Sequence, residues 1–178
     1  MATTKKAPVN KTSDTAAETT VEQEVKRKPT EIDIHQSVPV KNGFQGELIY
    51  KSKRTGEVFE WKNFGDEQEM ELFELKNVKS AEKAFFVNNW FMFDDDYSWV
   101  IDWLGVGEFY KNALKVDAFD EVFTKTPEEI AKTCKGLSDG QKASLAYRAR
   151  QVIADGGIDS IKAISALEDG LGIELIER

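Results

Sequence analysis

Residues 1–36 hold almost no large apolar side chain. Beyond Met1, only Val9, Val21, Val25, Ile32 and Ile34 qualify, scattered among Thr, Lys, Glu and Ala. Fixing one residue in a single backbone conformation costs ~1–2 kcal/mol of entropy, and this segment has too little apolar area to offset it. It is expected to form a disordered or extended N-terminal arm that either stays solvated or orders against a partner surface. Fully extended, it would reach ~120 Å at ~3.4 Å per residue. The core must then come from the remaining residues, roughly 140 of them, enough for one ordinary domain or two small ones.

The same division organises the charge. The 178 residues carry a formal net charge of −8. Residues 1–30 hold six cations (Lys5, Lys6, Lys11, Lys26, Arg27, Lys28) against four acids (Asp14, Glu18, Glu22, Glu24). The arm is therefore near +2 and residues 31–178 near −10. An acidic body argues against broad electrostatic binding to nucleic acid or anionic lipid. The arm is the one place where contact with nucleic acid is plausible. There is one cysteine, Cys134, and one histidine, His35. No disulfide can close within the chain, and no Cys/His zinc site or His-based metal cluster can be composed from it. No apolar run approaches the ~20 residues needed to span a bilayer. The N-terminus MATTKKAPVNKTSDTAAETT lacks the apolar stretch of a secretory signal. Neither a membrane partner nor a cofactor is expected.

From residue 37 to about 75 the pattern is β-rich. Ser37–Lys41 (SVPVK) reads as a short strand that Pro39 limits to an edge or a strand start, and Asn42–Gly43 is a turn signal. Glu47–Ser52 and Glu57–Trp61 are two β-prone runs. The four residues Lys53–Gly56 between them suit a type I turn closed by Gly56 at positive φ. Phe59 and Trp61 share one face, with Val58 on the other. After the loop Lys62–Glu67, the alternation of Glu69–Leu72 predicts a further strand. Leu72, Leu75 and Val78 already keep helical spacing, so the period changes near Leu72. Short antiparallel strands and tight turns predict a small curled sheet, for which an SH3-like barrel is one form.

The rest reads as short helices. Ser80 is expected to cap a helix over SAEKAFFVNN, ended by Asn88–Asn89. Trp90–Phe93 is a buried strand or core turn, and one of Asp94, Asp95 and Asp96 can cap a helix over Tyr97–Leu104. Phe109, Tyr110, Leu114, Phe119 and Phe123 fall on two more short helices. Thr126-Pro127-Glu128-Glu129 is a strong helix start. Ser138-Asp139-Gly140-Gln141 is a capping box. Asp159 or Ser160 caps a last helix whose Ile161, Ile164, Leu167 and Leu171 keep one face. The expected organisation is an α+β chain: a flexible arm over 1–36, a β-rich domain with short helices over 37–95, and a helical region over 96–178.

Catalytic constellations are not apparent. Three consecutive aspartates, Asp94–Asp96, point in different directions and lack the spacing of a calcium loop. His35 sits in the polar leader with no singled-out Ser, Cys or carboxylate beside it. Cys134, in IAKTCKG, has no histidine in the folded part to pair with. Lys53-Arg54-Thr55-Gly56 lacks the spacing of a phosphate loop. Lys142, Arg148 and Arg150 form a basic helix edge that surrounding acids make a solvated face. Ten aromatics lie within residues 85–110. Most are expected to be core, while Trp90, Trp99, Trp103 and Tyr110 are candidate partner anchors, because Trp and Tyr are favoured at interfaces. Lys26, Arg27 and Lys28 are the candidate contacts in the arm.

The run VPVKNGFQGELIYKSKRTGEVFEWKNFGDEQEMELFELKNVKSAEKAFFVNNWFMFDDD resembles a block in uncharacterised proteins of tailed bacteriophages of Gram-positive hosts. The shared skeleton is Gly46-x-x-x-Tyr50, Thr55-Gly56, Trp61, Phe64-Gly65-Asp66, Met70, Glu74-Leu75 and Asn89-Trp90. LSDGQKASLAYRARQ and SIKAISALEDGLGIEL resemble the helical C-terminal part of that family, so the likeness covers residues 38–178. It implies a phage-encoded virion component or assembly factor and carries over no active-site residues.

Two functions follow as expectations. One is a non-enzymatic structural or assembly protein of the phage particle, made in the host cytoplasm and present in multiple copies in the virion. It would dock on capsid, portal, neck or tail subunits through its arm and aromatic anchors. The alternative is a small acidic phage regulator that binds and inhibits a host protein such as RNA polymerase. An enzyme is the least expected class, because acid–base chemistry needs positioned titratable pairs.

Overall fold

The computed structural model describes residues 31–176. Strand β1 (Ser37–Asn42) runs antiparallel to both β4 (Glu67–Glu71) and β5 (Phe91–Met92), giving the order β4-β1-β5. Strands β2 (Leu48–Lys51) and β3 (Val58–Trp61) form a separate hairpin. Among the described residues the strands therefore form three ladders in two sheets, and no ladder joins the sheets into a closed, SH3-like barrel. Pro39 sits in the middle strand, yet it satisfies the edge rule locally. It pairs with Glu69 of β4, while β5 reaches only Lys41 and Asn42. The Val40 carbonyl accepts the Trp61 indole N–H at 2.8 Å, which ties the hairpin to the three-stranded sheet.

The hairpin follows its alternation. Phe59 and Trp61 are buried, Val58 is exposed, and Gly56 closes the turn at φ +76°. The Asn42–Gly43 signal marks a buried junction. The Asn42 side-chain amide donates to the carbonyls of Gly46 (2.8 Å) and Asn63 (2.9 Å), and its oxygen accepts the Phe44 N–H (2.8 Å). A fully buried asparagine with its bonds satisfied stabilises the junction rather than costing desolvation.

The period change at Leu72 is the start of helix α1 (Leu72–Ala81). No side chain caps it. The N–H groups of Leu72 and Phe73 donate instead to the carbonyls of Gln36 (3.0 Å) and Ile34 (2.7 Å). Ile32 also packs against the adjoining core. Residues 31–36 are thus integrated with the fold, which corrects the placement of the disordered arm's end at residue 36. The rest of the expected arm, residues 1–30, lies outside the described residues. Ser80 is corrected as well. It lies inside α1 with its hydroxyl donating to the Lys76 carbonyl at 3.0 Å, and the next helix, α2 (Ala84–Val87), is separate.

Helix α3 (Ser98–Leu104) ends at Gly105, φ +66°, where the Lys79 ammonium donates to the Leu104 carbonyl. A cation at a helix C-terminus opposes the partial negative charge there. The aromatic stretch that follows forms 3-10 turns at Gly107–Phe109 and Phe119–Thr124. Helix α4 (Pro127–Gly136) begins with the complete Thr126–Glu129 capping box. Helix α5 (Asp139–Ala154) is capped by Ser138, and α6 (Ile161–Leu171) by Ser160. Ile164, Leu167 and Leu171 are buried as their spacing predicts, but Ile161 is 75 % exposed. Helices α4 and α6 approach so closely that a Cβ on Gly170 would lie 2.5 Å from the Cys134 Cβ.

The result is an α+β protein, a small antiparallel sheet followed by a helical C-terminal part. Its buried side chains form two clusters. One spans Val38 to Val106 and includes the strands and α1–α3, and the other spans Phe119 to Leu175. The α3 segment thus packs with the strands. Helix α5 joins the two clusters. Gln141 uses its side-chain amide twice on Leu114, accepting from the N–H (2.9 Å) and donating to the carbonyl (2.8 Å). The capping box expected at Ser138 is therefore half formed, because Gln141 does not return to the cap. Ser144 donates to the Gly43 carbonyl (3.3 Å) and accepts from Gln45 N–H (3.2 Å).

Candidate interaction surfaces

Of the seven residues singled out for partner contact, Lys26, Arg27 and Lys28 lie outside the described residues. The other four are built into the body. Trp99 is 8 % exposed and belongs to the first cluster, which corrects its reading as an exposed anchor. Trp90 is flanked edge-on by Phe44 (6.2 Å) and Phe85 (5.6 Å). Trp103 is half-buried with the Lys76 ammonium 5.4 Å above its ring. Tyr110 donates its hydroxyl to the Phe91 carbonyl at 2.6 Å, and burial pushes its pKa well up. These rings form the core and its rim. The exposed large apolar side chains are mostly aliphatic and include Ile49 and Val58 on the outer face of the hairpin. The outward position of Ile49 was readable from alternation, since Leu48 and Tyr50 point inward, but three apolar residues in a row masked it.

The most elaborate polar arrangement centres on Glu74, a buried carboxylate on α1. The Tyr50 hydroxyl donates to it at 2.6 Å, Asn77 donates at 3.2 Å, and the Arg54 guanidinium stands 3.9 Å away while stacking 4.5 Å over Phe73. Burial alone would raise the carboxyl pKa. The hydrogen bonds from Tyr50, Ser52 and Asn77, with the Arg54 charge, outweigh that and hold it below the usual carboxylate value. Tyr50 is shifted upward by burial and by the carboxylate it serves. The group pins the hairpin to α1. Above it opens a cleft of about 230 Å³ lined by Ser37, Arg54, Glu57, Phe59, Glu69 and Glu71. Glu67, Glu69 and Glu71 share one exposed face of β4, and Glu71 accepts from or pairs with His35 Nδ1 at 3.1 Å.

The three aspartates meet lysines. Lys41 lies 2.7 Å from Asp94 and 3.6 Å from Asp117, and Lys115 lies 2.7 Å from Asp95, around a second cleft of about 250 Å³. Asp94 precedes the 3-10 turn Asp95–Tyr97 without capping it through its side chain, so ion pairing replaces the expected cap. The Lys41 ammonium loses solvation there, but Asp94, Asp117 and Glu67 raise its pKa on balance. No group of three or more His, Cys, Asp or Glu among the described residues is arranged to hold a metal ion. Cys134 is buried, and desolvation pushes its thiol up to about 11, away from the thiolate form that nucleophilic chemistry needs. The basic helix edge is largely engaged: Arg148 chelates Asp120 at 2.5–3.0 Å and Arg150 donates to the Glu174 carbonyl. What the body presents outward is a strongly acidic surface with isolated aliphatic side chains on a hairpin. No protein-family model, no curated protein and no solved structure matches the chain.

Proposed function

We propose that this protein is a non-enzymatic structural or assembly component of a tailed-phage particle, present in multiple copies, that docks on basic surfaces of neighbouring virion subunits of the capsid, portal, neck or tail. It would be made in the host cytoplasm and reside in the virion. The observation that carries the reading is the charge of the body. Residues 31–178 are near −10, and Glu69 and Glu71 of β4 with Glu57 line a cleft beside the first described residues. Like charge keeps such a body soluble and steers it toward positive partners. Lys26, Arg27 and Lys28 enter the reading by charge alone, as contacts for an acidic neighbour or for nucleic acid. The strongest titratable arrangements, at Glu74 and at Lys41–Asp94, serve packing, which favours an interaction role over acid–base chemistry.

The same acidity also suits the alternative, a regulator that occupies the positively charged nucleic-acid channel of a host protein such as RNA polymerase. Mass spectrometry of purified particles separates the two. A stoichiometric copy number in the particle is the expected result, and absence from particles overturns the structural reading. Glu57→Lys with Glu69→Lys should lower incorporation without changing the melting temperature. Capture of host polymerase by a chain absent from particles would favour the regulator.

A further inference from the structure

Strand β2 is an outer edge: among the described residues its only strand neighbour is β3. The direction of its backbone groups follows from the register. Leu48 pairs with Trp61 and Tyr50 with Phe59, and the same ladder continues to Ser52 and Glu57, where the Ser52 N–H donates to the Glu57 carbonyl at 2.8 Å. Hydrogen-bonded and non-hydrogen-bonded pairs alternate in an antiparallel ladder. The N–H and C=O groups of Leu48 and Tyr50 therefore turn toward β3, and those of Ile49 and Lys51 turn outward. The side chains of Glu47, Ile49 and Lys51 are all exposed, with Ile49 at 53 %.

The geometry points to a second copy of this chain as the occupant of that edge, paired antiparallel about a two-fold axis at Ile49. Such a pairing opposes residue 49 − k to residue 49 + k of the partner. Ile49 meets Ile49 of the other copy, and Glu47 meets Lys51 twice over, once on each side of the axis. An isologous interface must be self-complementary in this way, and the sequence Glu47-x-Ile49-x-Lys51 is. Opposite charges facing across a strand pair stabilise it, whereas like charges oppose it. The outward backbone groups fall in the same register. Pairs 47/51, 49/49 and 51/47 would each exchange two bonds, six in all, and Ile49 would lose its exposure to water. An edge of this length buries much less than the ~800 Å² per partner of a standard interface. The dimer is therefore weak and concentration-dependent, a contact suited to many copies held close together. The inference rests on the edge alone and stands whether or not the particle reading holds.

Sedimentation velocity of the full chain across a wide concentration range reads the equilibrium. The expected result is a concentration-dependent dimer that Glu47→Lys or Lys51→Glu weakens at least tenfold and that the double exchange Glu47→Lys/Lys51→Glu restores. Ile49→Pro should also abolish it, because that N–H points away from β3. Ile49→Cys supplies a geometric check. Cα atoms of a hydrogen-bonded antiparallel pair lie about 5.5 Å apart, within disulfide range, so mild oxidation should give a covalent dimer. Val58→Cys is equally exposed at 54 %, but it sits on β3, too far from its counterpart to cross-link. A wild-type chain that stays monomeric at all concentrations overturns the proposal. So does a dimer indifferent to the charge exchange, or equal cross-linking at positions 49 and 58.

Discussion

Replacing Gly140 by alanine pits two effects of opposite sign against each other. Gly140 lies in the first turn of α5, and alanine there would ordinarily favour the helix by up to ~1 kcal/mol. The added Cβ, however, would stand 2.3 Å from the Asn88 carbonyl oxygen, 2.5 Å from the Asn88 Cβ and 2.9 Å from the Trp90 indole nitrogen. A carbon normally approaches a carbonyl oxygen no closer than about 3.3 Å, so helix and loop must separate by ~1 Å. The loop has little freedom to yield. Asn89 is buried at φ +54° with its side-chain amide donating to the Phe109 carbonyl, and the Trp90 carbonyl accepts Gly43 N–H. Overpacking costs ~1–3 kcal/mol; contacts of 2.3 and 2.5 Å put this site in the upper part of that range, ~2–3 kcal/mol, and subtracting a propensity gain of ~1 kcal/mol leaves a net loss of about 1–2 kcal/mol. At ~2–4 °C per kcal/mol for a chain of this size, the melting temperature should fall by about 2–8 °C in calorimetry, with a matching loss in urea unfolding. Gly136→Ala is the control. It lies at the end of α4, where the nearest atoms, those of Asn112, are 3.5 Å away, and it should be neutral or stabilising. A Gly140→Ala chain as stable as wild type would refute the close packing of α5 on the Asn88–Trp90 loop.

Tyr50→Phe removes one donor to the buried Glu74 carboxylate and should cost about 1–3 kcal/mol in chemical unfolding. Because the folded pKa of Glu74 lies below its ordinary 4.5, its contribution is present above that value and is lost as pH falls through the folded value. Glu74→Gln should therefore flatten the stability–pH curve in that acid range. Gln141→Glu puts a carboxylate against the Leu114 carbonyl. It should destabilise by about 3 kcal/mol or more near neutral pH and recover part of the loss as acid restores the proton, and a pH-independent loss would refute the amide pairing. Deletion of residues 1–30 should leave the melting temperature nearly unchanged, whereas deletion of 1–36 strips the carbonyls that hold Leu72 and Phe73 N–H and should lower it measurably. Cys134, buried with its pKa near 11, should react with a thiol reagent only as fast as the chain opens, and rapid labelling of native protein would contradict its burial.

What could be read from the sequence was what depends on near neighbours. The hairpin with Gly56 at its turn, the change of period at Leu72 and the caps at Thr126, Ser138 and Ser160 each follow from spacing over a few residues, and each is present. What could not be read depends on parts of the chain far apart. The cap of α1 is two carbonyls from residues 34 and 36, and no local signal announces them. Gln141 fits a capping box by position, yet it serves Leu114, a competition that only the folded arrangement decides. Ile161 keeps the helical spacing but stays exposed, because periodicity reports which face is apolar and not how far the neighbouring helix extends. The aromatics were identified as mostly core, but their number hid which would be exposed. Trp99 is placed by the first cluster as a whole and Tyr110 by the Phe91 carbonyl of β5.

The joint at α5 explains why two small apolar clusters belong to one chain without merging. Toward the second cluster the helix presents Leu145, Ala146 and Ala149. Toward the strand-bearing half it presents Gly140, against the Asn88 carbonyl and the side chains of Asn88 and Trp90, and Ser144, which bonds the Gly43 carbonyl, while Gln141 bonds the backbone of Leu114. Apolar contact is indifferent to small rotations, whereas a side-chain amide matched to one N–H and one C=O fixes position and orientation together. Burying such groups is costly unless each is satisfied, so the arrangement has few acceptable alternatives. Loops 43–45, 88–90 and the chain at Leu114 all converge on the first two turns of α5, and loss of the Ser144 hydroxyl or the Gln141 amide would take these partners from the backbone groups of Gly43, Gln45 and Leu114. A helix read from sequence as one member of the helical region over 96–178 is thereby the element that fixes the strand-bearing half against the helical half, and with it the orientation of the acidic β4 face and the β2 edge on the common surface.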